Sequence, residues 1–229
     1  FICEEEIARR LKEINDNSIV WNIDYIKYNK IDDIELTEQQ MQTLKNVCEN
    51  NVSILAGVGG SGKSFSTKAL IGLLEENNIS YMLLSPTGKA SKVLSDYTGR
   101  NASTIHRGLL YNPQEGFLYN ESNKLPYQII IVDESSMIDI HLMRALLRAI
   151  DENNSKILFI CDPAQIPSVG CGNCIQDIIN SNKFSITMLD KVFRYGEGGL
   201  SYVTTETRKG KYYIKPSDKS WQYFGTNKD

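Results

Sequence analysis

From Val52 onward, short apolar runs alternate with longer stretches in which apolar residues return every three or four positions. The runs are Val52–Val58, Ile79–Ser85, Gln128–Asp133, Lys156–Cys161 and Ile186–Leu189. A short, nearly unbroken apolar run reads as a strand covered on both faces, as in a parallel sheet. The intervening stretches Lys63–Glu76, Gly88–Tyr97, Ile138–Asp151 and Asn173–Asn180 read as helices. In the first of them Phe65, Ala69, Leu70, Leu73 and Leu74 fall at helical spacing. This alternation predicts an α/β fold, a mostly parallel sheet with helices on both faces.

Upstream the pattern changes. Ile2–Ile14 is amphipathic and reads as a helix, while Asn15–Glu35 is polar and mixed, a hairpin or linker. Thr37–Glu49 reads as a helix opened by Thr-Glu-Gln-Gln, with Thr37 at the N-cap and Gln40 completing a capping box. Asn112–Leu125 carries Pro, Gly and Asn and reads as a loop or small hairpin inserted before the acidic strand. No internal repeat or low-complexity tract interrupts this order.

The 229 residues can bury one full core, alone or with a small appendage. No apolar run approaches the roughly 18 residues a membrane helix needs. With no signal peptide visible either, the reading is a cytoplasmic protein without a membrane partner. A net charge of −3 gives no overall basic signature, so any nucleic-acid surface must be local. Residues 1–40 carry ten acidic and five basic side chains, and residues 201–229 carry three and six. Because the chain opens at Phe1, it reads as a fragment or processed product. Cys171-Gly-Asn-Cys174 offers too few ligands for zinc beside only two histidines, His106 and His141. Five cysteines without framework spacing read as reduced thiols.

The chemistry is concentrated in two motifs. Gly57-Val58-Gly59-Gly60-Ser61-Gly62-Lys63-Ser64 is a G-x-x-x-x-G-K-S phosphate-binding loop between a strand and a helix, the context that motif requires. Its glycines let backbone N–H groups face phosphate oxygens, and the helix N-terminus adds partial positive charge. Lys63 would reach the β- and γ-phosphates of a bound nucleotide, and Ser64 would ligate Mg²⁺. The second motif, Asp133-Glu134, ends the strand Gln128–Asp133 and so falls at the C-terminal edge of the sheet, where ligands bind in open α/β folds. Asp133 would hold Mg²⁺ through water, and Glu134 would orient or deprotonate an attacking water.

Further segments follow in a fixed order: Ser85-Pro86-Thr87-Gly88-Lys89-Ala90, Ala102-Ser103-Thr104-Ile105-His106-Arg107, Asp162-Pro163-Ala164-Gln165-Ile166-Pro167-Ser168-Val169-Gly170 and Leu189-Asp190-Lys191-Val192-Phe193-Arg194. With the phosphate loop and Asp133-Glu134-Ser135-Ser136-Met137, the string resembles the RecD-like superfamily 1 DNA helicases from about Leu36 to Arg194. The resemblance implies the first RecA-like domain of a P-loop NTPase motor that couples ATP hydrolysis to 5′-to-3′ movement on single-stranded DNA. It divides the chain into a helical segment or linker (1–35), the ATP-binding domain (36–200), and a truncated second motor domain or tail (201–229).

The same resemblance assigns roles by position. Gln40 reads the adenine edge, a task that competes with its capping box. Gln165 senses the γ-phosphate and helps place the water. Arg194 faces the γ-phosphate, where a guanidinium suits spread anionic charge. Pro86, Thr87, Gly88 and Lys89 grip the DNA backbone, as do Thr104, His106 and Arg107, although His106 also fits a packed, hydrogen-bonded histidine. Other subunits of a helicase–nuclease complex are further candidate partners. Cys161-Asp162 stands where the family has Gly-Asp, and the 35 residues after Arg194 are too few for a second RecA-like domain. A small P-loop kinase and an ATP-dependent DNA-binding module are the competing classes; Glu134 and Gln165 together speak against both.

Overall fold

The computed structural model describes residues 2–165, 168–191 and 207. Arg194 and, Thr207 apart, the 201–229 segment lie outside the described residues. In chain order the elements are α1 (Ile2–Asp16), the two-residue strands β1 (Lys30–Ile31) and β2 (Ile34–Glu35), α2 (Glu38–Glu49), β3 (Val52–Gly57) and α3 (Lys63–Glu76). Then come β4 (Tyr81–Ser85), α4 (Gly88–Thr98), β5 (Ala102–Thr104), α5 (Ile105–Gly108) and a small hairpin, β6 (Tyr111–Asn112) with β7 (Gly116–Phe117). The series closes with β8 (Ile129–Val132), α6 (Ile140–Ala149), β9 (Lys156–Cys161), α7 (Cys174–Asn180) and β10 (Ser185–Leu189).

Six strands form one sheet in the order β10-β3-β9-β8-β4-β5, and every pairing in it is parallel. The unbroken apolar runs are explained by a division of labour along each strand. Ile54, Ala56, Ile130, Val132, Ile157 and Phe159 point to a core built with α1, α5, α6 and α7. Their neighbours Leu55, Ile129, Ile131, Leu158 and Ile160 point to the opposite core, with α2, α3 and α4. Successive side chains leave a strand on opposite faces, so a sheet covered twice is apolar at most positions, and the buried Ser53 and Lys156 hydrogen-bond to carbonyls of α2.

The first helix is part of this packing. Ile7, Leu11 and Ile14 are buried in the same core as α6. Arg10, 3% exposed, donates to the carbonyls of Leu147 and Ile150 at the end of α6 and pairs with Glu13 and Glu152. Glu6 binds Arg144 and Arg148 on the same helix. A second buried cation closes a helix on the other face. Lys156, 1% exposed, donates to the carbonyls of Val47, Cys48 and Asn50 at the end of α2 and lies 4.5 Å from the Trp21 ring centroid. The last carbonyls of a helix lack intrahelical donors, so each cation fills acceptors that burial would otherwise orphan. Burial pushes the Lys156 ammonium down to about 8.

Most predicted elements agree with these bounds to within two residues. Ala102–Thr104, expected only as part of a motif, is the edge strand β5.

Candidate nucleotide-binding site

The phosphate loop leaves the end of β3 and enters α3 at Lys63. Gly60 (φ 86°) and Gly62 (φ 91°) hold left-handed backbone that a side chain would strain. Gly57 is needed for a different reason: a Cβ there would meet Ser61 Oγ at 2.4 Å and Leu189 Cβ at 3.0 Å. Lys63 Nζ donates to the carbonyl oxygens of Gly57 (2.5 Å) and Val58 (3.4 Å), so its ammonium spans the mouth of its own loop. Ser64 is exposed on the first turn of α3, whereas the Ser61 hydroxyl is buried without a hydrogen-bond partner.

Beside the loop, β9 and then β8 deliver their ends to the same edge. Asp133 follows β8, and its carboxylate accepts from the Glu134 N–H at 2.9 Å. Glu134 itself adopts left-handed backbone (φ 52°, ψ 36°), and its Oε2 is buried without a partner. Non-glycine residues held there cost of order 1–3 kcal/mol, and they cluster at functional sites. The turn is pinned from below by Ser135 Oγ, which donates to the Ile160 carbonyl at 2.9 Å. Burial first, and then the Glu134 charge, push the Asp133 carboxyl up to about 6.

Two crowded carboxylates, one with an orphaned oxygen, form a donor set that a divalent cation fits. Among the described residues no cluster of three or more His, Cys, Asp or Glu could hold a metal alone. Mg²⁺ beside phosphates keeps several waters and needs few protein ligands; Ser64 and, through water, Asp133 are the residues that would hold it.

Gln165 lies in the loop after β9, where its N–H donates to the Asp162 carbonyl at 3.1 Å, and its side chain is exposed. The Asp162 carboxylate accepts from the Ala164 N–H and so shapes the same turn. Cys161, in place of a glycine, is accommodated in the core at 0% exposure, where burial pushes its thiol up to about 12. Gln40 is 3% exposed, and its carboxamide is committed twice. Its Oε1 accepts from the Thr37 N–H at 2.9 Å, which completes the capping box, and its Nε2 donates to the Gly62 carbonyl at 3.4 Å. The side chain therefore braces the end of the phosphate loop.

The expected DNA-facing segments follow β4 and β5, further along the same edge. The Thr87 and Thr104 hydroxyls accept from the N–H groups of Ala90 and Arg107, capping α4 and α5. Gly88, Lys89, His106 and Arg107 are exposed, and Pro86 is half-buried. The His106 ring meets Tyr111 at 5.6 Å and Phe117 at 5.8 Å, which ties α5 to the small hairpin. Sequence reasoning missed the Gln39–Asp190 contact, a pair of reciprocal hydrogen bonds between residues far apart in the chain. It also missed Asp139, which caps α6 and packs where a Gly170 side chain would stand.

A family model described as an AAA domain matches residues 35–217.

The chain belongs to that family.

As an AAA domain it is 41% identical over 137 residues to the ATP-dependent RecD2 DNA helicase of Deinococcus radiodurans, covering 60% of this chain and 19% of that protein. It is 28% identical over 186 residues to the RecBCD enzyme subunit RecD of Mycolicibacterium smegmatis, covering 70% of this chain and 33% of the relative. The AAA domain thus spans a third or less of these curated relatives. Among solved structures, the Pif1 helicase from Candida albicans shares its fold with a TM-score of 0.59 at 20% identity, over 78% of this chain and 45% of that one. These matches bear out the resemblance to the RecA-like domain of RecD-like superfamily 1 helicases.

Proposed function

We propose that this chain is the first motor domain of a DNA helicase, one that binds ATP with Mg²⁺ and couples its hydrolysis to 5′-to-3′ movement on single-stranded DNA. One arrangement carries the reading: the phosphate loop after β3 stands beside Gln165 after β9 and Asp133-Glu134 after β8, all at one edge of a parallel sheet. On this reading Lys63 exchanges the carbonyls of its own loop for the β- and γ-phosphates. Ser64 and, through water, Asp133 hold Mg²⁺, which supplies neutralisation of phosphate charge. Glu134 orients or deprotonates the attacking water, Gln165 places it against the γ-phosphate, and Arg194 offers a guanidinium to the same group.

Single-stranded DNA is proposed to cross the ends of β4 and β5, touching Pro86, Thr87, Gly88, Lys89, Thr104, His106 and Arg107. Hydroxyls, backbone N–H groups and cations contact phosphates without reading sequence. The relative named as a subunit of the RecBCD enzyme supports other subunits as further partners.

The decisive experiment uses the longer protein that contains this domain. ATP hydrolysis should rise on adding single-stranded DNA, and duplexes with a 5′ tail should be unwound in preference to those with a 3′ tail. ATPase activity indifferent to DNA would sink the motor reading, and preference for a 3′ tail would sink the direction.

A further inference from the structure

The loop after β9 is anchored at both of its ends. At the first, the Asp162 carbonyl accepts from the Gln165 N–H and the Asp162 carboxylate from the Ala164 N–H. At the second, residues 168–172 lie against the start of α6. The Ile140 N–H donates to the Cys171 carbonyl at 2.9 Å, and Ser168 Oγ donates to the Gly170 carbonyl at 2.9 Å. Gly170 approaches Asp139 so closely that a Cβ on it would stand 2.6 Å from Asp139 Cβ and 2.9 Å from its Oδ2. The other carboxylate oxygen of Asp139 has a separate duty. Its Oδ1 caps α6 by accepting from the N–H groups of His141 and Leu142.

The contact between Asp139 and Gly170 joins two parts of the site. Asp139 ends the turn that begins at Glu134, and Ser135 fastens that turn to the Ile160 carbonyl at the end of β9. Gln165 stands three positions before Ser168. Three residues span at most about 11 Å, so the segment docked on α6 limits how far Gln165 can travel. We propose that Asp139 is a positioning residue for ATP turnover, acting through Gly170 to hold the Gln165 carboxamide in register with Glu134. The inference rests on the hydrolytic reading above. Two side chains that share one water must keep their spacing, and a misplacement of about 1 Å can cost 10²-fold in rate. Nucleotide affinity is a separate quantity, because Lys63 and the N–H groups of the phosphate loop supply it.

The test compares steady-state ATP turnover of the longer enzyme with its affinity for Mg²⁺–ADP, read by calorimetry. Gly170→Ala drives a methyl group into Asp139. It should slow turnover about tenfold and leave ADP affinity within about twofold of wild type. In a Gln165→Ala background the same change should cost no further rate, because both act on one group. Adding Asp139→Gly to Gly170→Ala removes the opposing Cβ at small cost to the cap, and should restore turnover to within about threefold of wild type. If Gly170→Ala does not fold, Asp139→Ser is read in its place with the same expectations for rate, affinity and the Gln165→Ala background. Serine keeps the cap and removes the oxygen that faces Gly170. Turnover unchanged in the variant, or a loss that multiplies with that of Gln165→Ala, overturns the inference while the hydrolytic reading stands. Wild type that binds ADP and does not hydrolyse ATP overturns the hydrolytic reading, and the inference with it.

Discussion

Lys63 Nζ rests 2.5 Å from the carbonyl oxygen of Gly57, so the cation at the end of the phosphate loop neutralises the dipole at its beginning. An incoming phosphate must outcompete that carbonyl for the ammonium, and it brings full negative charge to do so.

ATP with Mg²⁺ is therefore expected to stabilise the chain by about 2.7 kcal/mol at 100-fold excess over its dissociation constant. Lys63→Ala should abolish most of the shift. Thermal melts with and without nucleotide check this, and equal shifts in the two chains would remove the phosphate-loop assignment.

In the longer enzyme, Glu134→Gln should retain ATP binding and lose about 10²-fold or more of turnover, because the amide keeps the shape but cannot accept a proton. Gln165→Ala should cost less, since that side chain positions water rather than deprotonating it. Steady-state ATPase rates beside nucleotide affinities separate the effects. Turnover within a few-fold of wild type would show that Glu134 is not the catalytic carboxylate.

Single-stranded DNA should bind this chain weakly, without sequence preference, and less as salt rises. Each phosphate contact contributes about −0.7 to the slope of log affinity against log salt. Lys89→Ala should make the slope shallower and weaken all sequences alike. Titrating labelled oligothymidine and a mixed sequence at several salt concentrations measures both. Tight, salt-indifferent binding would contradict a translocase track.

Acid should loosen the clamp between α1 and α6. The hydrogen bond from Arg10 holds the Glu152 carboxyl at about 2, against an ordinary 4.5. A depressed carboxyl contributes stability that is full above about 4.5 and is lost as pH falls toward about 2. Wild type and Glu152→Gln should therefore differ in urea midpoint at neutral pH and converge only below about pH 2. A constant difference across that window would mean the ion pair is not the source.

What the sequence disclosed follows from how each residue is used. β3, β8 and β9 were legible because strands buried on both faces are apolar at nearly every position, and the phosphate loop because its glycines answer to backbone geometry. Edge strand β5 was not: Ala102, Ser103 and Thr104 are half-buried and show no alternation. Nothing local in the sequence marks Lys156 or Arg10 as buried cations, since only the folded chain brings helix-end carbonyls to them. The capping box was read correctly from Thr37 and Gln40, while the reach of Gln40 to Gly62 depends on α2 packing beside α3. Gln39 and Asp190 stand 151 positions apart, and no local pattern joins them.

The docking of α1 has a practical consequence for where this domain can be cut. The family match begins at residue 35, which invites a shorter chain starting there. That cut would remove Ile7, Leu11 and Ile14 from their core and uncover the apolar side of α6 at Met143, Leu146 and Leu147. It would also strand the Leu147 and Ile150 carbonyls that Arg10 now occupies. Such a chain keeps every motif and loses a wall of the domain that carries them, leaving a greasy surface that invites aggregation.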